Sequence, residues 1–318
     1  MLAWKPSAPL QNQRQRAKVL AQLRSFFAER DVLEVETPLL GRHTVPDVYI
    51  ESMSVDVVDG ASSIEYFLQT SPEFFMKRLL AHGSGSIYQI AKAFRQEEKG
   101  SRHNCEFTLL EWYRVSFSLE DLMNELEQLV QQLLGCDSIP RYTYRELFQQ
   151  HLAIDPHTIT LEELTALANS KLDLNAGDLS KTDYLQLLLA HCIEPKLPGY
   201  CFIHDYPEEQ AALSTLAEDE MGTVVAKRFE LFGNGMELAN GYQELTDTAE
   251  QRARFESDNA TRAAKGLTRR DIDERLMAAI ESGLPSCSGV AVGVDRLLML
   301  LVDAQQISEV ISFDGDSA

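Results

Sequence analysis

The sequence predicts an α+β fold in which an antiparallel β-sheet is flanked by helices. Alternating apolar residues on both sides of a short charged loop predict a first hairpin over residues 87–113. The same alternation around Gly233-Asn234-Gly235 predicts a second hairpin over residues 223–245. A glycine-punctuated strand then starts at Gly289 and runs directly into a helix. The length of 318 residues allows one large domain or two smaller ones.

The other elements are predicted from apolar spacing and from the residues that begin or end them. Ser71 as N-cap, Pro72 at the first helical position and a following acidic residue predict a helix that reaches Gly83. Ser118 caps a strongly amphipathic helix that Gly135 ends. The remaining predictions are helices over 14–30, 247–264 and 273–282, strands over 32–38, 48–58, 64–69 and 199–207, and several short helices in an inserted segment of about 141–198.

Composition indicates a globular protein without a membrane span. Hydrophobic residues make up 44% of the chain and charged residues 25%, which is ordinary for globular proteins. The longest apolar run, 290–302, is interrupted by Asp295 and Arg296. The N-terminal residues contain no apolar stretch long enough for a signal peptide. The five cysteines form no CxxC pair, so we expect free thiols in a reducing cytoplasm.

Acidic residues strongly outnumber basic ones. The chain has 49 Asp and Glu residues against 29 Lys and Arg residues, which gives a net charge of −20. Nucleic-acid affinity rests largely on the neutralisation of phosphates, so such an acidic chain is a poor general partner for nucleic acid. Local basic patches are compatible with this composition, and the charge therefore disfavours such a partner without excluding it.

Charged side chains occur inside the predicted strands, where a carboxylate is costly unless a cation meets it. Arg95 and Arg296 flank a set of glutamates in and beside the hairpins. Guanidinium groups and carboxylates on neighbouring strands suit a triphosphate bound directly and through metal ions, and further carboxylates suit an ammonium group. The alternative is a solvated face of ion pairs, which the apolar neighbours of Glu111 disfavour. The glutamates are Glu73, Glu111, Glu230, Glu237 and Glu244.

Several single features also have ordinary explanations. Ser71 and Glu73 are typical helix-capping residues, and His103 fits an ordinary loop histidine. Gly289 and Gly293 in a strand often mark only a close backbone approach. The sequence contains no G-x-x-x-x-G-K-[ST] motif, so an ATP site in this chain is not a P-loop.

The ordered motifs resemble those of the class II aminoacyl-tRNA synthetases. The first helix, the following strand and Pro38 are similar to motif 1. Phe94-Arg95-Gln96-Glu97 and the run from Glu106 to Glu111 are similar to motif 2, and the run from Gly289 to Leu297 is similar to motif 3. Residues 71–73, 102–104 and 237–245 resemble the lysyl branch. The resemblance implies a single catalytic domain over residues 1–318, built on an antiparallel sheet flanked by helices.

The resemblance implies a role for each matching residue. Arg95 would hold the α-phosphate and the reacting carboxylate and Arg296 would contact the γ-phosphate, as the two catalytic residues. Glu230 and Glu237 would hold Mg²⁺ on the phosphates. The ATP-binding set would be Arg95, Gln96, Glu97, His103, Asn104, Phe107 (stacked on the adenine), Glu237, Leu238, Gly293 and Arg296. The pocket for a lysine-type substrate would be Ser71, Pro72, Glu73, Glu111, Tyr113, Asn240, Tyr242, Glu244 and Ala291, with Glu73 and Glu244 facing the two amines.

Two departures from the lysyl-tRNA synthetase pattern change the expected acceptor. Only a short polar segment precedes the first helix, which is too little for the anticodon-binding domain of such enzymes. Position 291 is Ala where motif 3 usually has Gly, and this methyl group would reshape the amino-acid pocket. Both features resemble the stand-alone paralogues that attach (R)-β-lysine to a lysine of translation elongation factor P.

The resemblance therefore implies a homodimeric ligase that uses ATP and Mg²⁺. Its substrate would be β-lysine or lysine, its acceptor elongation factor P, and tRNA would be a disfavoured acceptor. Two alternatives stay open at this point, a truncated synthetase that charges tRNA and a non-catalytic module that senses an amino acid. The preference between the two lysine isomers also stays open.

Overall fold

The computed structural model describes residues 4–60, 62–96, 98–172 and 179–318. Contacts between Cα atoms divide the chain into two compact units. The first unit is Met1–Gly135 with Leu245–Ala318, and the second unit is Cys136–Glu244. None of the described helices is long and apolar enough to cross a membrane. As predicted, the cysteines are free thiols.

The described secondary structure comprises α-helices of 8 to 19 residues and strands of two to ten residues. Among the described residues the helices are α1 (Leu10–Ala28), α2 (Glu73–Ala81), α3 (Leu119–Leu134), α4 (Tyr144–Leu152), α5 (Leu161–Lys171), α6 (Lys181–Leu188), α7 (Thr248–Ala264), α8 (Glu274–Glu281) and α9 (Val294–Val302). The strands are β1 (Leu33–Glu34), β2 (Leu40–Gly41), β3 (Ser54–Asp59), β4 (Ser62–Leu68), β5 (Ile87–Phe94), β6 (Glu106–Val115), β7 (Arg141–Thr143), β8 (Tyr200–Pro207), β9 (Leu216–Glu218), β10 (Val224–Gly233), β11 (Met236–Gln243) and β12 (Cys287–Gly293).

In the first unit, four strands follow one another in the order β1-β5-β6-β12. β1 is parallel to β5, β5 and β6 form the predicted antiparallel hairpin, and β12 runs antiparallel to β6. The register places Glu111 between Gln89 and Ala291, and Tyr113 opposite Ile87. Because directly paired residues share a face, these side chains lie on one surface of the sheet.

Two helices cover the other face of this sheet. Phe27 of α1 stacks on Tyr88 at 4.4 Å between ring centroids and meets Trp112 edge-on at 5.2 Å. The Trp112 indole N–H donates to Glu125 of α3 at 2.9 Å. Burial raises the pKa of Glu125, although Arg114 opposes this effect. The aromatic contacts and this buried hydrogen bond fix α1 and α3 behind the strands that carry Glu111.

A small sheet and a helix pair complete this part of the first unit. The small antiparallel sheet has the order β2-β4-β3. It precedes α2 in the chain, and α2 packs against α8. Phe74 of α2 also contacts Phe255 of α7, with 5.9 Å between ring centroids.

The second unit has its own hydrophobic core. Its strand order is β11-β10-β8-β7, with β9 paired to β10. Helices α4–α6 pack over this sheet around a buried aromatic cluster. In that cluster Tyr144 stacks on Phe148 at 4.6 Å and contacts Tyr206 at 4.8 Å.

The second predicted hairpin is confirmed in detail. β10 and β11 pair antiparallel and are joined by Asn234 and Gly235. Both residues have positive φ, at 50° and 67°, which is the requirement of a type I′ turn. Asn and Gly are the residues that tolerate these angles best, so the turn follows directly from the sequence.

Several sequence predictions were wrong in detail. The strand predicted over 32–38 spans only Leu33–Glu34, and the strand predicted over 48–58 begins only at Ser54. Ser71 is not the N-cap of α2, because the helix begins at Glu73 and Pro72 occupies the capping position. The Ser71 hydroxyl instead accepts the Glu73 N–H at 3.3 Å. Arg141–Thr143 form β7 instead of helix, since they pair in parallel with β8. The rest of the 141–198 segment is largely helical as expected, apart from residues 173–178, which lie outside the described residues.

Candidate active site

The residues predicted for the site fall into two groups. The first unit contains Ser71, Pro72, Glu73, Arg95, Gln96, His103, Asn104, Phe107, Glu111, Tyr113, Ala291, Gly293 and Arg296. The second unit contains Glu230, Glu237, Leu238, Asn240, Tyr242 and Glu244. Glu97 lies outside the described residues.

Arg95 follows directly after β5 and is held by backbone and side-chain contacts. Its backbone N–H donates to the Cys105 carbonyl at 3.0 Å, and its Nη1 lies 3.2 Å from Glu98 Oε1. The guanidinium carbon lies 5.1 Å from the centre of the Phe107 ring. Among the described residues, the buried Nε of Arg95 meets no hydrogen-bond acceptor. A buried donor of this kind suits an anionic ligand such as a phosphate.

The loop between β5 and β6 is tied to the start of α9. His103 Nε2 lies 2.8 Å from Arg296 Nη2, so two residues predicted for ATP binding are in contact. Gly293 ends β12, and Arg296 therefore lies in the first turn of α9. The positive end of a helix and a guanidinium group together favour a bound anion.

Asn104 and Gln96 are held by backbone contacts. The Asn104 amide nitrogen donates to the Glu106 carbonyl at 2.7 Å, and its oxygen accepts the Gly315 N–H at 3.0 Å. The Gln96 N–H donates to the Glu51 carbonyl at 2.8 Å. These bonds fix the backbone on both sides of the loop.

The first group contains a buried carboxylate, that of Glu111. Glu111 is 2% exposed, and its Oε1 accepts the Tyr113 hydroxyl at 2.7 Å. Ala291 is its direct neighbour on β12, and Gln89 its neighbour on β5. Ala291 and Glu111 therefore share one face of the sheet, and a role of Ala291 in shaping an amino-acid pocket stays a prediction.

Glu73 already has a cationic partner. Its Oε1 accepts a hydrogen bond from Lys77 at 2.6 Å, one helical turn along α2. Lys77 is 2% exposed, so the pair is largely desolvated. Any substrate ammonium at Glu73 would therefore share this carboxylate with Lys77.

A β-bulge in β11 determines the face of the sheet on which Glu237 lies. The register between β10 and β11 passes from Leu231 opposite Ala239 to Phe232 opposite Glu237, so Leu238 has no opposite residue. The bulge places Glu237 on the same face as Asn240 and Tyr242, which strict alternation along β11 would not do. The sequence pattern by itself assigns Glu237 to the wrong face.

Glu230 and Glu237 form a carboxylate pair that suits a divalent cation. Burial raises the pKa of Glu230 to about 7, with the Glu237 charge adding to this effect and Arg228 opposing it. A cation between the two carboxylates would relieve both burial and repulsion. No cluster of three or more possible ligands (His, Cys, Asp, Glu) occurs in the described part of the chain. Two carboxylates plus substrate phosphates are the usual ligands of Mg²⁺, so the residues present fit that ion.

Arg228 lies two residues before Glu230 on β10 and forms an ion pair with it. Its Nη2 donates to Glu230 Oε1 at 2.5 Å and its Nη1 to the Gln210 carbonyl at 3.0 Å. The guanidinium carbon lies 4.4 Å from the Tyr206 ring centre and 5.5 Å from that of Tyr242. One oxygen of Glu230 is thus engaged by Arg228.

Glu244 and Asn240 are two further polar residues predicted for the site. Glu244 is 2% exposed and forms a β-bridge with Ser214 just beyond β11. The Asn240 side-chain oxygen is buried and accepts no hydrogen bond from the described residues. An oxygen of this kind is suited to receive a hydrogen bond from an amine.

Sequence reasoning missed Arg228 and Lys77. Arg228 stands two residues before Glu230 in a strand, and Lys77 four residues after Glu73 in a helix. Both spacings place side chains on the same face of their element, so each contact has a signal in the sequence. The bulge at Leu238 has no comparable signal.

Known proteins are similar to this chain over nearly its whole length. The family model of class II tRNA synthetases (D, K and N) matches residues 2–317. A protein of Edwardsiella ictaluri named elongation factor P–(R)-β-lysine ligase is 46% identical, covering 100% of this chain and 99% of its own length. Proteins of the same name from Photorhabdus laumondii and Klebsiella pneumoniae are 47% and 46% identical, covering 98% and 99% of this chain and 97% and 98% of their own lengths. The chain, an α+β protein, therefore belongs to the class II tRNA synthetase family.

Proposed function

We propose that this chain is an ATP-dependent ligase that modifies elongation factor P. It activates a lysine-type amino acid, (R)-β-lysine or lysine, as an adenylate and transfers it to a lysine side chain of the factor. One observation carries the choice of acceptor. The relatives of that name are matched over 97–99% of their own lengths, so the similarity is not confined to an ATP site shared by all synthetases.

The first step is the attack of the amino-acid carboxylate on the α-phosphorus of ATP. A bond forms between carboxylate oxygen and phosphorus, and pyrophosphate leaves. Two anions must approach each other, so the chemistry is mostly charge neutralisation and positioning. In this proposal Arg95 binds the α-phosphate and Arg296 the γ-phosphate. Glu230 and Glu237 would hold Mg²⁺, which would neutralise phosphate charge.

The second step is the attack of an acceptor amine on the activated carbonyl. An amide bond forms, AMP leaves, and the amine loses a proton. The adenylate is already an activated acyl group, so no side-chain nucleophile is required. Accordingly, none of the residues assigned here is a nucleophile.

Buried carboxylates support the proposal of a lysine-type substrate. Glu111, braced by Tyr113, and Glu244 are both 2% exposed, and such carboxylates favour a cationic partner. The proposed pocket therefore suits an amino acid with two amines. Ala291 beside Glu111 narrows the pocket where motif 3 usually has Gly, and we propose that this favours (R)-β-lysine.

Mass spectrometry of the acceptor tests the proposal. The enzyme is incubated with ATP, Mg²⁺, (R)-β-lysine and elongation factor P, and the factor should gain the mass of one lysyl group. Omission of ATP should abolish the gain. If the enzyme is active in pyrophosphate exchange and the mass of elongation factor P does not change, the proposed acceptor is wrong.

A second candidate is an enzyme that charges tRNA, which the family description favours. Charging assays on tRNA transcripts with both lysine isomers separate the two functions. A non-catalytic module is disfavoured because Arg95, Glu237 and Arg296 are all present. We also propose a homodimer, as the motif 1 resemblance implies, which sedimentation velocity tests.

A further inference from the structure

Three side chains from distant parts of the chain form a closed ring of hydrogen bonds in the first unit. Arg16 of α1 donates through Nη1 to Asp295 Oδ1 at 2.6 Å and through Nη2 to the Thr108 hydroxyl at 2.6 Å. Asp295 of α9 accepts the Thr108 backbone N–H on its other oxygen at 2.7 Å. Arg16 Nη1 also donates to the Val310 carbonyl at 3.1 Å. The ring joins α1, β6 and α9.

The ring is sheltered from solvent. The Asp295 side chain is 3% exposed and the Arg16 side chain 16% exposed. Charge-assisted hydrogen bonds in such surroundings are strong and geometrically specific, and a guanidinium fork can bind two acceptors at once. Lysine, with a single ammonium centre, cannot reproduce this geometry.

Two of the three ring members, Asp295 and Thr108, stand next to a residue assigned to ATP. Asp295 immediately precedes Arg296 at the start of α9, and Thr108 immediately follows Phe107 on β6. The Thr108 N–H belongs to the peptide unit that joins it to Phe107. Arg296 in turn contacts His103, and the Arg95 guanidinium lies over Phe107. The ring therefore fixes the backbone next to Phe107, the predicted adenine contact, and next to Arg296, the predicted γ-phosphate contact.

We infer that Arg16 and Asp295 are positioning residues for ATP binding. They act through Phe107 and Arg296 and do not touch the nucleotide themselves. This inference rests on the proposed function of Phe107 and Arg296 as ATP contacts. It assigns a specific role to the first helix, which the motif resemblance links only to dimer formation.

The inference predicts a selective effect on ATP. The lysine-type pocket is assigned to other residues, such as Glu111 and Glu73, which contact none of the three ring members in the hydrogen bonds described. Loss of the ring should therefore weaken ATP binding while amino-acid binding changes little. A general loss of structure would weaken both.

The test compares Arg16→Gln and Arg16→Lys with Arg24→Gln. Arg24 lies on the same helix in an exposed ion pair with Glu34, at 51% and 40% side-chain exposure, and is the matched control. ATP affinity is measured by calorimetry, and KM for ATP and for lysine by pyrophosphate exchange. Arg16→Gln should weaken ATP binding roughly tenfold to a hundredfold. Arg16→Lys should show a smaller loss because its charge still meets Asp295, and Arg24→Gln should match the unmodified chain.

Arg296→Ala separates the possible failures. If Arg296→Ala weakens ATP binding and Arg16→Gln in a folded protein does not, the positioning role is wrong. An equal rise of both KM values in Arg16→Gln, with a lowered melting temperature, also overturns it in favour of a merely structural role. If Arg296→Ala itself leaves ATP binding unchanged, the proposed phosphate site is wrong.

Discussion

At the scale of single residues, the chemistry depends on charges that are buried and then compensated. Glu111 lies in the middle of a strand and is 2% exposed, yet Tyr113 donates to it and Ala291 lies beside it. Glu230 is compensated by Arg228 and Glu73 by Lys77. A carboxylate in such a place is retained only where its charge is used or neutralised, which distinguishes these residues from exposed ion pairs.

The first residue-scale prediction concerns Ala291→Gly. Removing the methyl group beside Glu111 should enlarge the pocket and reduce the preference for (R)-β-lysine over lysine. Discrimination by one methyl-sized group is worth roughly tenfold to 200-fold in kcat/KM. Pyrophosphate exchange with each isomer measures the ratio, and an unchanged ratio would show that Ala291 does not select the substrate.

The second residue-scale prediction concerns pH and Asp205. Although burial opposes it, hydrogen bonds from His204 and Lys227 lower the pKa of Asp205 to about 2. A carboxyl whose pKa is lower in the folded than in the unfolded chain stabilises the fold above the unfolded value, near 3.8. That stability, about 2 kcal/mol at most, is lost as the pH falls through the folded value.

Asp205→Asn should therefore lower the free energy of unfolding at pH 6. It should also make the decline of that free energy between pH 5 and pH 2 less steep. Urea unfolding at each pH measures both effects. Asp303→Asn is the control, because Asp303 is exposed and has a similar positive φ of 53°, against 55° for Asp205. Equal pH dependence of the Asp205→Asn variant and the unmodified chain would contradict the prediction.

At the scale of elements, the sequence predicted the turns and helix caps that depend on neighbouring residues in the chain. The Asn234-Gly235 turn needs two positive φ values, and few other residue pairs supply them cheaply. Ser118 caps α3 through a reciprocal capping box with Asp121, as its position before an amphipathic run indicated. By contrast, β7 was missed because Arg141–Thr143 become a strand only through pairing with β8, a contact that local sequence does not encode.

The element-scale prediction concerns Gly241→Ala in the second hairpin. Gly241 pairs directly with Phe229, whose ring lies over it so closely that a Cβ at position 241 would overlap the ring carbons. The ring is fully buried and has little room to move. The substitution should lower the free energy of unfolding by about 1–3 kcal/mol. Urea denaturation measures the change.

Gly199→Ala is the matched control in the same unit. Its added Cβ would meet only the Asn234 side-chain oxygen at 3.6 Å, an ordinary contact distance. If Gly241→Ala is as stable as Gly199→Ala, then the Phe229 ring moves aside and the tight fit is not structurally important.

At the scale of the whole molecule, composition and motif order predicted the kind of site. They did not predict the geometry of that site. The three motifs and the charge of −20 pointed to an ATP site and away from nucleic acid. The division at Gly135 and Leu245 could not be predicted, because no linker or change in composition marks it. The Arg16–Asp295 ring was equally hidden, since it joins residues 279 positions apart.

The whole-molecule prediction follows from the charge. Bulk tRNA in large excess should leave the modification of elongation factor P unchanged at low salt, because a chain of net charge −20 repels a phosphate backbone. The rate of mass gain of the factor measures this, with excess unmodified elongation factor as the competing control. Strong inhibition by tRNA at low salt would favour the tRNA-charging alternative.

The bulge in β11 has a consequence for how this strand tolerates changes in length. The pairs Leu231–Ala239 and Phe232–Glu237 follow one another on β10, so Leu238 is a surplus residue in the count of positions. Deleting it would give an unbroken ladder in which Glu237 still stands opposite Phe232. A one-residue deletion, which normally reverses every side chain beyond it, is therefore absorbed at Leu238.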